Sequence, residues 1–417
     1  MDTEVLVYVD LEGEPVQVGR LWARMRKGRD SATFEYDDSW LGRHDRFSLE
    51  PALQLGPGPF HTSLDTPIFG AIGDSAPDRW GRVLMRRAER RRAQRAGETP
   101  RTLREIDYLL MVNDEARQGA LRFTREPGGP FLAAGDVTPI PPLVALPRLL
   151  SAVENVVGDS DSDEDLRLLL APGSSLGGAR PKASVRDRDD TLVIAKFPHK
   201  DDEIDIVRWE AVALSLAGKA GISVPDWRME EIGDKSIILL RRFDRANGQR
   251  IPFLSAMSML GATDNESRSY LEFVDALRQN GASPKEDMHR LWRRIVFSVL
   301  ISNTDDHLRN HGFLYDGPDG WRLAPAYDVN PVPTDIKPRV LATAIDLDDG
   351  TASLDLAMSV AGYFELEDAE AREITHEVGQ AVSGWREEAA RGGLASGQID
   401  RVASAFEHDD LHAALDL

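Results

Sequence analysis

The sequence of 417 residues contains no cysteine. That excludes a disulfide framework, a thiol nucleophile, Cys-ligated zinc and iron–sulfur clusters, and it fits a reducing compartment. Long apolar runs are missing too. None approaches the ~20 residues a membrane helix needs. The first residues, Met1-Asp2-Thr3-Glu4, carry acids where a signal peptide has bases. Positive charge is in short supply. Fifty Lys and Arg stand against 70 Asp and Glu, a net charge of −20, so the surface as a whole does not suit coating nucleic acid or an anionic membrane. What is present is apolar material for sizeable cores, 41% of the chain. The expectation is a soluble, cytoplasmic protein of two or three domains with no membrane attachment.

The chain opens on alternation. Val5, Val7 and Val9 point one way, and Val16-Gln17-Val18 follows a Glu12-Gly13-Glu14 turn, which predicts a β-hairpin. Ala32 to Tyr36 and Gly119 to Phe123 are further strand candidates. From Asp78 to Ala96 the pattern becomes helical and strongly basic, with eight arginines between Arg79 and Arg95. Its bland reading is a solvated face; its functional reading is a dock for an acidic partner or a DNA backbone. Prolines crowd the stretch from 126 to 150, which suits a linker. The acidic run Asp159 to Asp165 reads as an exposed loop. A glycine-rich turn over 171–185 lies between β-like segments. Thr191 to Lys196 is a strand ending in lysine, Val207 to Lys219 a helix, and Ser236 to Leu240 a buried strand. Beyond 256 the pattern is helical, except for a hairpin around Asp316-Gly317-Pro318-Asp319-Gly320.

The densest polar cluster is Asn303-Thr304-Asp305-Asp306-His307-Leu308-Arg309-Asn310-His311, behind the apolar stretch Ile295 to Ile301. A second acid follows the hairpin, in Tyr327-Asp328. Phosphoryl transfer needs one carboxylate to accept the attacking hydroxyl's proton, and an amide with another carboxylate to hold magnesium against phosphates. Asp305 and Asn310 are five apart, and Asp328 sits one hairpin later, the spacing protein kinases use. Upstream parts follow in kinase order. Gly177 and Gly178 let backbone N–H groups approach phosphate oxygens. Lys196 can neutralise phosphates, Glu210 can pair with Lys196, and Leu240 to Phe243 would be the hinge whose backbone holds adenine.

At these residues a family resemblance becomes specific. Asn303 to Phe313, followed by Leu323-Ala324-Pro325-Ala326-Tyr327-Asp328-Val329, resembles the signature of the HipA family, serine/threonine kinases that act as toxins in bacterial toxin–antitoxin pairs. Ser175-Leu176-Gly177-Gly178-Ala179-Arg180-Pro181-Lys182 is similar to the family's glycine-rich loop. Asp78 to Arg82 and the first hairpin resemble its N-terminal subdomain, so the likeness runs over nearly the whole chain. It implies an α+β, two-lobed, kinase-like fold. An extra β-rich subdomain would occupy 1–125, a kinase N-lobe-like region 126–250, and a helical C-terminal lobe 251–417. It implies ATP and magnesium as cofactors. Asp305 would be the catalytic base, with Asn310 and Asp328 as metal ligands. Gly177, Gly178, Ala179, Lys182, Lys196, Arg241, Arg242, Phe243, His307 and Tyr327 would line the nucleotide site. Ser175, or its neighbour Ser174, would be the autophosphorylated serine that switches the enzyme off, since a phosphate adds roughly −2 charge. The usual partner is a small DNA-binding antitoxin, so DNA is reached only through it, and the best-known targets are aminoacyl-tRNA synthetases. Arg180, Gly177 and Arg309 depart from the expected Gln, Ala and Lys, without removing a catalytic group.

Other readings compete. Asp305 and Asp306 can cap a helix. His307 and His311, four apart, can ligate a metal from one helical face, though no Glu follows His307 to act as base. At the level of function, the alternatives are a small-molecule kinase on a kinase-like fold and a non-catalytic nucleotide-binding corepressor.

Overall fold

The computed structural model describes residues 2–63, 66–134, 139–170, 178–264 and 266–417. Inter-residue contacts divide the chain into two compact units, Met1–Asp201 with Glu230–Leu254, and Asp202–Met229 with Ser255–Leu417. The segment over 202–229 therefore belongs with the C-terminal helices, although it follows the glycine-rich turn in sequence.

The first unit opens with strands β1 (Thr3–Leu11), β2 (Glu14–Arg26), β3 (Arg29–Tyr36) and β4 (Pro59–His61). The β1–β2 turn has positive φ at both Glu12 and Gly13, and the β2–β3 turn at both Lys27 and Gly28. Turns of this kind match the right-handed twist of the flanking strands. With β5 (Leu121–Thr124) they form an antiparallel sheet in the order β4-β3-β2-β1-β5. Val5, Val7 and Val9 are buried, as their alternation predicts.

Helix α1 (Arg79–Ala96) is the arginine-rich segment. Further along the unit come α2 (Leu146–Val157) and α3 (Asp163–Leu170). Helix α2 corrects the linker expected up to residue 150. Pro147 falls in its first turn, where a missing N–H is no loss, and Leu149, Leu150, Val153 and Val156 behind it are buried. A second sheet contains β6 (Lys182–Arg186), β7 (Leu192–Lys196), β8 (Trp227–Ile232) and β9 (Lys235–Arg241), in the order β6-β7-β9-β8. Trp80 and Leu84 of α1, the apolar faces of α2 and α3, and Ala183, Val185, Val193, Ala195 and Leu239 of the sheet share one core.

The two charge runs, largely exposed as read, also pair with one another. Arg87 binds Asp159 and Asp161, Arg91 binds Asp161 and Asp163, and Arg95 binds Asp163. The acidic run leads into α3 and pairs with three of the eight arginines of α1. A deeper network joins Arg242 to Asp244, with Nε–Oδ1 at 2.8 Å and both side chains fully buried.

In the second unit, α4 (Ile206–Lys219) and the helices after Ser255 surround α6 (Pro284–Leu300), preceded by α5 (Tyr270–Asn280). Leu291, Trp292, Ile295, Val296, Val299 and Leu300 of α6 are all buried. The helix stops at Ser302, whose φ of 51° turns the chain out of helical geometry. The expected hairpin is β10 (Gly312–Tyr315) with β11 (Trp321–Leu323), paired Phe313 to Leu323 and Tyr315 to Trp321. No helix among the described residues is long and apolar enough to cross a membrane.

Candidate active site

The left-handed turn at Ser302 delivers residues 303–310 from the end of α6 into a loop built mostly on its own polar groups. The Asp305 side chain is 73% exposed, with Lys337 Nζ 3.9 Å from its Oδ1. Asn310 is buried, and its Nδ2 donates to the Asp305 carbonyl oxygen at 2.9 Å. Its Oδ1 has no hydrogen-bond partner. Buried polar atoms are nearly always paired, so this oxygen is an exception.

Asp328 comes to this loop by two braces. The Tyr327 hydroxyl donates to the Arg309 carbonyl at 2.8 Å, and the Asn330 N–H donates to Asn303 Oδ1 at 3.2 Å. Between these braces Asp328 has a φ of 58°, a conformation non-glycine residues rarely adopt. Asp305, Asn310 and Asp328 thus lie on two segments bound side by side in one unit. A cavity of about 20 Å³ is lined by Asn303, Asp306, Asn310, His311 and Tyr327 among others, though not by Asp305 or Asp328. It is of the size of one water molecule.

Asp306 has a role that its position in the sequence did not reveal. It is buried, and it accepts hydrogen bonds from the Tyr270 hydroxyl, from Ser298 Oγ at 3.3 Å and from His311 Nε2 at 2.7 Å. The Thr343 hydroxyl donates to its backbone carbonyl at 2.7 Å. Burial alone would push the Asp306 carboxyl up, but His311 and Tyr270 outweigh it and hold the carboxyl below the ordinary aspartate value. Burial, reinforced by the Asp306 charge, raises the Tyr270 hydroxyl well above its ordinary value and keeps it a donor. The spacing gave no signal for this cluster, since Tyr270 is 36 residues away.

The two helical readings of this loop are corrected. Asp305 and Asp306 cap no helix; the short 3₁₀ turn Leu308–Asn310 has His307 in front of it. His307 and His311 share no helical face, because His311 lies in extended backbone with its ring against Tyr270 and Phe273. Among the described residues, no three His, Asp or Glu side chains gather as a metal cage. The donor types, an Asn amide oxygen and an Asp carboxylate, are ones that suit magnesium, which takes few protein ligands and completes its shell with water and phosphate oxygens.

The nucleotide-binding candidates of the first unit are described by themselves. Gly177, Ser174 and Ser175 lie outside the described residues. Gly178 has a φ of 87°, open to glycine alone at little cost. Ala179 and Arg241 are on or near the surface. Lys182 and Lys196 are directly opposite across the β6–β7 pairing, and both are buried. Lys182 Nζ is 3.1 Å from Asp78 Oδ2. Arg242 is turned inward to Asp244, which leaves backbone rather than side chain to meet a ligand there. The Phe243 ring lies 6.3 Å from that of Phe253. Glu210 is buried on α4, in the other unit from Lys196.

Residues 174–385 match the model of the HipA-like C-terminal domain family. The chain is 26% identical over 331 residues to "Putative kinase Y4mE" of Sinorhizobium fredii, covering 71% of each protein. It is 23% identical over 209 residues to a "Putative kinase" of Haemophilus influenzae, covering 44% of this chain and 61% of that one. Its fold is similar to a solved structure from Shewanella oneidensis, described as a toxin–antitoxin complex of HipA, HipB and operator DNA. There the TM-score is 0.66 at 16% identity, over 99% of this chain and 96% of that one.

Proposed function

The chain belongs to the HipA-like family, and from that premise we propose that it is an ATP- and magnesium-dependent protein serine/threonine kinase. One observation carries the reading: the loop of Asp305 and Asn310 is hydrogen-bonded to the segment of Asp328. Asp305, exposed at the surface, accepts the proton of the attacking hydroxyl. Asn310 Oδ1 and the Asp328 carboxylate hold magnesium. Bound there, the metal would offset negative charge developing on the phosphate oxygens. Gly177, Gly178, Ala179, Lys182 and Lys196 attend the phosphates, His307 and Tyr327 line the nucleotide site, and the backbone of Arg241 to Phe243 attends the adenine. Ser175 or Ser174 is the site of autophosphorylation.

The solved HipA relative is described with HipB and operator DNA, and a small DNA-binding antitoxin is accordingly the partner we assign. DNA is reached through it. The protein target to test first is an aminoacyl-tRNA synthetase, on family resemblance.

The test is transfer of radiolabelled γ-phosphate in the presence of magnesium. Label should enter the chain itself or a host protein. Phosphoproteomics after expression in a growing bacterium, wild type beside Asp305→Ala, should identify that protein. Label entering only sugars or other small molecules overturns the protein-kinase reading.

A further inference from the structure

One cation of the second unit has no part in the chemistry above, yet it is held beside the proposed base. Arg309, next to Asn310 in sequence, is engaged with Asp264 at 3.1 Å. The cation at Asp305 comes instead from the segment after Asp328. Lys337 Nζ donates to the Thr304 carbonyl at 2.8 Å and stands 3.9 Å from Asp305 Oδ1. It is anchored on the peptide that leads into the base.

The segment that carries Lys337 is fastened on both sides of it. Before it, the Val332 N–H donates to the Ser302 carbonyl at 3.2 Å, and the N–H groups of Ile336 and Lys337 both donate to the Pro333 carbonyl, at 3.0 and 3.1 Å. Pro331, Pro333 and Pro338 restrict the backbone between. After it, Arg339 Nε donates to Ser302 Oγ at 3.0 Å and Nη2 to the Val299 carbonyl at 2.9 Å, while Nη1 binds Asp410 at 2.7 Å. The gain in stability from the Lys337–Asp305 pair is small, because the two side chains are 42% and 73% exposed and water screens them. Nor is the pair closed. An ammonium has three donors and one is used on Thr304, while 3.9 Å to Asp305 is longer than a hydrogen bond. One oxygen about 2.8 Å from each group fits between Nζ and Oδ1. A hydroxyl there would donate to Asp305 and accept from Lys337, with a third donor left for a phosphoryl oxygen.

We propose that Lys337 is a catalytic cation of the phosphoryl-transfer centre: its ammonium holds the attacking hydroxyl against Asp305 and offsets the charge of the phosphoryl being transferred. This rests on the kinase reading. In the step, the bond from the hydroxyl oxygen to the γ-phosphorus forms. The bond from that phosphorus to the bridging oxygen breaks, and its electron pair leaves on the nucleoside diphosphate. The hydroxyl proton passes to Asp305, and Lys337 transfers none. A lone carboxylate would repel the phosphoryl oxygens it works beside, and the ammonium counters that repulsion. The effect falls on turnover rather than on nucleotide affinity, because hydroxyl and phosphoryl come together only at the transfer step.

A chain without cysteine lets the charge be put back at one position. In Lys337→Cys, alkylation with 2-bromoethylamine restores an ammonium at lysine length. Iodoacetamide adds a neutral amide of the same length that still offers an N–H to Thr304. The chain has no other thiol to react. ADP formation from magnesium–ATP by the full chain gives kcat and KM, a fluorescent ATP analogue gives Kd, and thermal unfolding gives the midpoint. Lys337→Cys should lower kcat about tenfold or more, with KM and Kd within about threefold of wild type and the midpoint unchanged. Bromoethylamine should restore most of the rate and iodoacetamide little of it. Lys285→Cys, exposed in the first turn of α6, should keep the wild-type rate with either reagent. Undiminished kcat in Lys337→Cys would overturn the assignment. So would equal recovery with both reagents, which would leave only the hydrogen bond to Thr304, or a rise in Kd as large as the fall in kcat. A wild-type chain that neither binds the analogue nor forms ADP overturns the kinase reading itself, and the role of Lys337 with it. Equal turnover in wild type and Lys337→Cys overturns that role alone.

Discussion

Asn310 Nδ2 donates to the backbone carbonyl of Asp305 at 2.9 Å. The five-residue offset therefore has a local cause. The loop closes on the carbonyl of its own first acid, which directs the Asp305 side chain outward while the Asn310 Oδ1 stays buried and without a protein partner.

Removing Asp305 should consequently separate chemistry from folding. Asp305→Ala should lower phosphoryl transfer by about 10²–10⁴-fold, the usual contribution of a positioned general base. The thermal midpoint should stay near that of wild type, because an exposed side chain is lost. Transfer at more than a tenth of the wild-type rate would remove Asp305 from the role of base.

The neighbouring acid should behave in the opposite way. Asp306 is buried among Tyr270, Ser298 and His311, so Asp306→Ala should cost about 3–5 kcal/mol of stability in urea titrations. Tyr270→Phe should cost about 1–2 kcal/mol. The folded Asp306 carboxyl is held below its ordinary value. Its stabilising contribution is therefore present above the unfolded aspartate pKa and is lost as pH falls through the folded one. Stability should decline less steeply between about pH 5 and 3 in Asp306→Asn than in wild type. Parallel declines would show that the carboxylate charge is not what the network uses.

These two acids also mark the limit of what the sequence discloses. That the segments of Asp305, Asn310 and Asp328 meet was legible because two of these residues lie on one short loop and the third follows a hairpin with its own turn residues. The first hairpin was legible through valine alternation and the Glu12-Gly13 turn. Asp306 gains its meaning only from Tyr270, 36 residues upstream. The arginines of α1 gain theirs from acids about twice as remote; Arg87 is 74 residues from Asp161. Ion pairs between separate elements leave no periodic trace in the chain, so the pairing of the two runs was not legible. Helix α2 was hidden for a different reason: proline density suggested a linker, while the one proline inside the helix sits in the first turn, where it is tolerated.

The Arg242–Asp244 pair should contribute to stability rather than to adenine contact. Asp244 Oδ2 also accepts the Gly119 N–H at 2.7 Å and binds Arg245 at 2.9 Å. Burial would raise its carboxyl, but Arg242 and Arg245 hold it far below the ordinary aspartate value. Asp244→Ala strands buried guanidinium groups and should cost about 3–5 kcal/mol. A loss under about 1 kcal/mol in urea titrations would mean that these arginines find other partners or water.

Glu50 should impose the reverse pH dependence. Burial, with Asp74 adding to it, pushes its carboxyl up to about 7, although the Ala71 N–H it accepts pulls the other way. The folded protein therefore binds this proton more tightly than the unfolded chain. That contribution is complete below the unfolded value of 4.5 and is lost as pH rises toward 7. Above neutrality the site holds a buried charge that the Ala71 N–H only partly compensates. Glu50→Gln keeps an acceptor for that N–H and removes the charge. The variant should match wild type at about pH 4 and exceed it by about 1–3 kcal/mol at about pH 8, measured by urea unfolding at each pH. A difference that stays constant across this range would mean that the carboxyl does not titrate there, and that the Gln side chain acts through packing alone.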